Sequence, residues 1–191
     1  MKLHLLSMLM ISILVNRGAL CPPVGAFGER QPSVKDNNDM PGHLARRFQQ
    51  IAVAVFLAEV EAAGFDLTPV QYAALAAIRV SPGIDQVTLA GMIAYDRTTI
   101  TGVVDRLVQK GLLVRRASSR DRRARELQIT DAGRRTLRAI TPAVEAAQRI
   151  MLRGLNEKEA AELMRLLRKA IAAGNDLSRA PLRDAATAER S

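Results

Sequence analysis

The chain has 191 residues, enough for one domain of ordinary size or two very small ones. Apolar residues make up 48% of it and aromatics only 3%, so the core is expected to be Ala, Leu, Val and Ile, a mix that favours helices over a β-sandwich or barrel. Lys and Arg number 28 against 19 Asp and Glu, a net charge of +9 that points to a polyanionic partner, either nucleic acid or an acidic membrane surface.

Few catalytic chemistries survive this composition. The single cysteine, Cys21, excludes an internal disulfide framework. One cysteine and two histidines also exclude a His- or Cys-rich zinc site, so neither a metal nor a cofactor is expected. A Ser-His-Asp arrangement would have to rest on His4 or His43, and neither has a supporting motif. With no phosphate-binding loop either, the chain does not read as an enzyme.

Residues 1–40 read as an N-terminal extension. Lys2 precedes an apolar run from Leu3 to Val15, followed by Asn16, Arg17 and a Gly/Pro-rich polar stretch to Met40. The basic start and short apolar run have the outline of a signal peptide, too short to span a bilayer comfortably. Against this, Arg17 interrupts, no clean small-x-small cleavage site follows, and bulky Leu20 precedes Cys21 in what would be a lipoprotein signal. Three readings stay open: an extension that is disordered or not translated, with Met40 as the true start; an export or anchor segment; and a small element packing on the domain.

From Met40 onward the helix signals come in order. A helix is expected over residues 43–63, with Leu44, Phe48, Ile51 and Val55 on one stripe and Gly64 as its stop. Thr68-Pro69-Val70-Gln71 opens a second, with Thr as cap, Pro at the first helical position and Gln three residues after the cap. It runs to about Val80 and ends at Ser81-Pro82-Gly83. Asp85 caps a short third helix through Ala94, and Asp96 caps a fourth from Arg97 to Lys110, ended by Gly111.

Leu112 to Arg116 and Glu126 to Ile129 are short β-like runs, joined by the basic segment 117–125 as a hairpin with a charged tip. Thr130 caps a fifth helix, about Asp131 to Arg153, where Pro142 is expected to introduce a kink. Asn156-Glu157-Lys158-Glu159 is a capping box for a sixth, Glu157 to Ala173, with an apolar stripe of Leu163, Leu166, Leu167, Ala170 and Ile171. Residues 176–191 are expected to form a flexible tail.

This order predicts a mainly α fold: a winged helix-turn-helix of about six helices plus a two-stranded β-wing, its terminal helices forming a dimerisation region. The domain is expected over residues 41–175, with the winged head at 67–130 and dimerisation helices at 43–63 and 131–173. In the fourth helix Ile100, Val103, Val104 and Leu107 face inward. The opposite face offers Arg97, Thr98, Thr101, Gly102 and Asp105, slim enough to enter a major groove, where Thr can meet a base edge or a methyl group. Between Arg97 and Arg138 stand twelve basic residues against four acidic ones, so nearly the whole net charge sits in this reading head.

Thr98-Thr99-Ile100-Thr101 through Arg106-Leu107-Val108-Gln109-Lys110-Gly111-Leu112-Leu113 resembles the recognition helix of MarR-type regulators. Arg120-Asp121-Arg122-Arg123 and Leu127-Gln128-Ile129-Thr130-Asp131-Ala132-Gly133 resemble that family's wing and the start of its fifth helix. The likeness covers about residues 43–173, and its strength lies in the order and spacing of the pieces. One departure is Ser118, where the family often places an acidic residue three positions before the wing aspartate.

The resemblance implies a homodimer on a palindromic operator of double-stranded DNA, usually a repressor released by a small ligand. The expected DNA-contacting set is Arg97, Thr98, Thr99, Thr101, Gly102, Arg106, Arg120, Arg122 and Arg123, with Arg122 in a minor groove and Arg106 on a phosphate. Asp105 and Asp121 are expected to orient arginines rather than face DNA.

The apolar stripes of the first and sixth helices lie outside the head and must be buried somewhere, most simply against a two-fold partner. A ligand pocket between dimer helices and head, where the family usually has it, could draw on His43, Arg46, Arg47, Phe48, Gln71, Tyr72 and Tyr95, although Gln71 reads first as a cap residue. Aromatic rings beside arginine suit a small aromatic carboxylate. Such a regulator would be cytoplasmic and would not bind membrane. Two competing readings are a ligand-independent architectural DNA-binding protein and an exported or membrane-anchored basic protein.

Overall fold

The computed structural model describes residues 39–117 and 125–183. The chain divides into two units, residues 1–39 and 40–191, and every element below lies in the second. Six helices and one hairpin follow in order: α1 (Pro41–Ala62), α2 (Pro69–Val80), α3 (Gln86–Met92), α4 (Arg97–Gln109), β1 (Leu113–Ala117), β2 (Arg125–Ile129), α5 (Asp131–Met151) and α6 (Glu157–Ala173). A single 3₁₀ turn, Asn175–Leu177, follows α6. The fold is mainly helical with a two-stranded wing, as expected.

Local capping explains where these helices begin. Thr68 and Gln71 form a reciprocal box at α2, the Gln71 amide donating to Thr68 Oγ1 at 3.3 Å and the Thr68 amide to Gln71 Oε1 at 3.1 Å. Asp85 receives the Thr88 amide at 2.7 Å, Asp96 the Thr98 amide at 2.8 Å, and Thr130 the Gly133 amide at 3.0 Å. Asn156 and Glu159 close a second reciprocal box at α6. Three ends differ from expectation by two residues, the first being α1, which begins at Pro41 rather than His43. Helix α3 stops at Met92 rather than Ala94, because Ala94 takes a left-handed φ of 49° that no α-helix continues. Helix α5 stops at Met151, two residues early, but runs through Pro142 as one helix.

The core gathers under the head. Leu75, Ile78, Leu89, Ile100, Val104, Leu107, Leu113, Leu127 and Ile140 are each at most 2% exposed. β1 and β2 are antiparallel, in a register that sets Leu113 opposite Ile129 and Ala117 opposite Arg125. Leu127 also bonds the α2–α3 connection: its carbonyl accepts from Gly83 at 3.1 Å and its amide donates to Ile84 at 2.8 Å. Gly83 reaches that bond with a φ of +85°, a conformation suited to glycine. The wing is thereby sewn to the helix-turn-helix by backbone.

Helix α1 packs along α5. The face it buries is not the stripe expected from sequence. Phe56 and Val60 are buried, whereas Leu44 and Ile51 remain 51% and 48% exposed. These residues lie on different sides because each helical residue turns about 100° from the last. Helix α6 buries no residue at all: Leu163 and Leu167 are half-buried, and Met164, Leu166 and Ile171 are exposed. Beyond it, in the region expected to form a tail, residues 175–183 make specific hydrogen bonds. The Asn175 side chain bonds both the amide and the carbonyl of Leu182, at 2.8 and 3.1 Å, and the Arg183 amide donates to the Gly91 carbonyl at 3.0 Å. Among the described residues, no helix is long and apolar enough to cross a membrane.

Candidate nucleic-acid interface

Helix α4 is fastened on three sides, which leaves one face to solvent. Ile100, Val103, Val104 and Leu107 bury its inner stripe. At its start Asp96 Oδ1 accepts both the Thr98 amide at 2.8 Å and the Thr98 hydroxyl at 2.5 Å. These donors hold the Asp96 carboxyl below the usual range, the Thr98 hydroxyl most of all. At its end Lys110 Nζ pairs with Asp66 Oδ2 at 2.8 Å and also donates to the Asp66 carbonyl, tying the helix to the α1–α2 loop. Gly111 then turns the chain with a φ of +69°, and Thr130 Oγ1 donates to its carbonyl at 2.7 Å.

The outward face carries Arg97, Thr98, Thr99, Thr101, Gly102 and Arg106, all exposed. A β-carbon built on Gly102 meets nothing within 4 Å, so the glycine keeps this face slim rather than filling a contact. Thr98 departs from the simple picture of a hydroxyl offered to DNA. Its O–H is given to Asp96, which leaves its oxygen as an acceptor only. Asp105 receives Arg115 Nη2 at 2.6 Å, linking α4 to the wing's first strand. That pairing removes Arg115 from the cations available to phosphate.

The three wing-tip arginines Arg120, Arg122 and Arg123, with Asp121, lie outside the described residues. Two further cations, Arg116 on β1 and Arg125 on β2, are exposed where the hairpin leaves the described region. Arg116 also borders a cavity of about 570 Å³ with Arg79, Pro82, Gln128 and Arg134, between the end of α2 and the start of α5. Arg134 is internally engaged there: it donates to Asp131 at 2.7 Å and to the Ile129 carbonyl at 3.1 Å. The basic surplus of the head thus splits into arginines that brace the fold and arginines that face outward.

The expected ligand residues do not all converge. Tyr72 packs edge-on against Phe56, with ring centroids 6.0 Å apart at 61°. Phe48 precedes Phe56 by eight positions, roughly 12 Å along the helix. His43 and Phe48 are half-buried and Arg46 and Arg47 exposed, all in the N-terminal turns of α1. Gln71 is buried and spent on the α2 cap. Tyr95 lines a different recess of about 320 Å³ with Ala90, Arg97, Thr98, Arg179 and Arg183, and none of the other six ligand candidates borders it. Phe56, absent from the expected set, had only its helical spacing to announce it. The Lys110–Asp66 tie had no local signal, since its partners are 44 residues apart.

Comparison with known proteins agrees with this geometry. A model of the MarR family matches residues 67–124, from the start of the helix-turn-helix into the wing. NicR of Pseudomonas putida, an HTH-type transcriptional repressor, is 31% identical over 136 residues, 71% of this chain and 85% of NicR. The transcriptional regulator PcaV of Streptomyces coelicolor, solved with its natural ligand, is 34% identical with a TM-score of 0.67, over 74% of this chain and 99% of PcaV. BpsR of Bordetella bronchiseptica, whose DNA binding is regulated by 6-hydroxynicotinic acid, is 30% identical with a TM-score of 0.65, over 70% of this chain and 94% of BpsR. The chain belongs to the MarR family, DNA-binding transcriptional regulators rather than enzymes.

Proposed function

We propose that this regulator is a cytoplasmic homodimeric repressor of a palindromic operator, released by a small aromatic carboxylate. The observation that carries the DNA reading is the outward face of α4, where six exposed residues, Arg97, Thr98, Thr99, Thr101, Gly102 and Arg106, combine slimness with positive charge. Thr101 and Gly102 enter the major groove, with Thr98 presenting its methyl group to a base edge. Arg97 and Arg106 flank them on the phosphates. The wing arginines Arg120, Arg122 and Arg123 reach the adjacent minor groove.

Dimerisation is supported by apolar side chains exposed on α1 and α6. Leu44 and Ile51 on α1, with Leu166 and Ile171 on α6, expose apolar surface at both ends of the domain. Two-fold pairing buries both and presents two α4 helices to two half-sites.

The ligand reading rests on α1 and α2. Arg46 and Arg47 supply guanidinium groups for a carboxylate, and Phe48, Tyr72 and His43 supply rings. BpsR, which responds to 6-hydroxynicotinic acid, makes a hydroxylated pyridine carboxylate the first compound to try. Tyr95 leaves this set, because it borders the recess at α4 instead.

The test is selection of bound duplexes from a random pool, repeated with 6-hydroxynicotinate present. A palindrome that is enriched and then lost on adding the acid is the expected result. Uniform binding across sequences would instead identify an architectural DNA-binding protein.

A further inference from the structure

We propose that the strap following α6 is a third element of the DNA-contact surface, with Arg179 placing its guanidinium on the phosphate beside the start of α4. This rests on the reading of α4 as the recognition helix. The strap is built rather than loose. Asn175 closes it into a loop through two bonds to Leu182, and the Arg183 amide fastens it to the Gly91 carbonyl on α3. Gly91 makes the approach possible: a β-carbon there would sit 3.3 Å from the Arg183 β-carbon, tighter than ordinary contact.

The loop so fixed carries Arg179 to the N-cap of α4. Its Nη2 lies 4.0 Å from Asp96 Oδ2, and its side chain is 74% exposed. A pair that long and that exposed holds the guanidinium only weakly, so the group remains available to a stronger anion. Arg97 and Thr98 border the same shallow recess as Arg179. Arg97, Arg179 and Arg183 thus border one recess at the end of α4 that sits against the backbone when the helix lies in a groove.

Charge gives a second reason. Asp96 is needed as the α4 cap, yet it sets a carboxylate, 38% exposed, at the edge of the DNA face. That charge would repel a phosphate unless a cation stood beside it. Arg179 is that cation, and its surplus donors can bridge from the carboxylate to the phosphate.

The test titrates the full chain and its Arg179→Ala and Arg179→Lys variants over a series of salt concentrations. The probes are a duplex that the wild type enriches from a random pool and a scrambled duplex. Arg179→Ala is expected to weaken both by a similar factor, about fivefold, and to reduce the log–log salt slope by about 1, while Arg179→Lys keeps the slope. An unchanged slope in Arg179→Ala overturns the proposal, even if affinity falls, because bracing Asp96 alone would not remove a phosphate contact. A loss confined to the selected duplex overturns it as well. Thr101→Glu in the same titration separates the two readings. Normal binding there overturns the placement of α4 itself; lost binding there, with an unchanged slope in Arg179→Ala, overturns only the strap.

Discussion

Gly133 stands directly against the backbone carbonyl of Leu112: a β-carbon on it would overlap that oxygen and lie 2.8 Å from Ile129 Cγ1. This contact seats the first turn of α5 on the junction between α4 and the wing. Substituting alanine for glycine inside a helix normally stabilises by about 0.5–1 kcal/mol. Here the sign should reverse. Gly133→Ala is expected to destabilise by about 1–3 kcal/mol, because the obstacle is backbone and cannot swing aside. Urea unfolding measures it, and a higher midpoint in the variant would mean that α5 is not seated as described.

Ala94 is the opposite case. It makes the turn between α3 and α4 with a φ of 49°, a region where a β-carbon is strained. Ala94→Gly should relieve about 1 kcal/mol of that strain, partly offset by the greater freedom of glycine in the unfolded chain. A small rise in the unfolding midpoint is expected, whereas Ala94→Val should lower it. A midpoint that falls in both would show that the turn tolerates a side chain and gains from it.

Two helix starts make stability sensitive to acid. Asp96, bonded by Thr98, and Asp131, bonded by Arg134, both titrate below the usual carboxylate range. A pKa lower in the folded than in the unfolded chain contributes stability that is fully present above the unfolded value, about 3.9. It is lost as pH falls through the folded value. The thermal midpoint should therefore change little between about pH 5 and 7 from these groups and drop below about pH 4. Asp96→Asn keeps an oxygen acceptor for the cap and should shallow that acid limb. Both carboxylates are exposed, so added salt should shrink the effect. An acid limb in Asp96→Asn as steep as in the wild type would remove Asp96 from the account.

Local signals explain why so much of the head was legible. Thr68, Asp85, Asp96, Thr130 and Asn156 each announce a helix start within a few residues, and each caps one. The inward stripe of α4 is likewise a pattern contained in about two turns of sequence. What escaped depends on distance. Lys110 finds Asp66 across 44 residues, and Arg183 finds Gly91 from the far side of α5 and α6. Helix α1 misled in another way: it is apolar on two sides, and its pattern does not reveal which side meets α5. Of the face read as its main stripe, Leu44 and Ile51 are left exposed while Phe48 and Val55 are half-buried.

Those exposed residues make the last prediction. Ile51 is 48% exposed at the middle of α1. If a second copy covers it, a two-fold axis places the residue in the interface twice. Ile51→Glu would then bury two carboxylates in apolar surroundings, or force the interface open. Dimerisation should weaken on the order of a hundredfold, equivalent to about 2.7 kcal/mol. Sedimentation over a concentration series reads this directly. Phe56 and Val60 are buried on another side of the helix, Phe56 against Tyr72 of α2, so the fold of each subunit should survive. Operator affinity should fall with the dimer, because one α4 alone holds only one half-site. A variant that sediments as the wild type does would show that α1 meets solvent, not a partner, along this stripe.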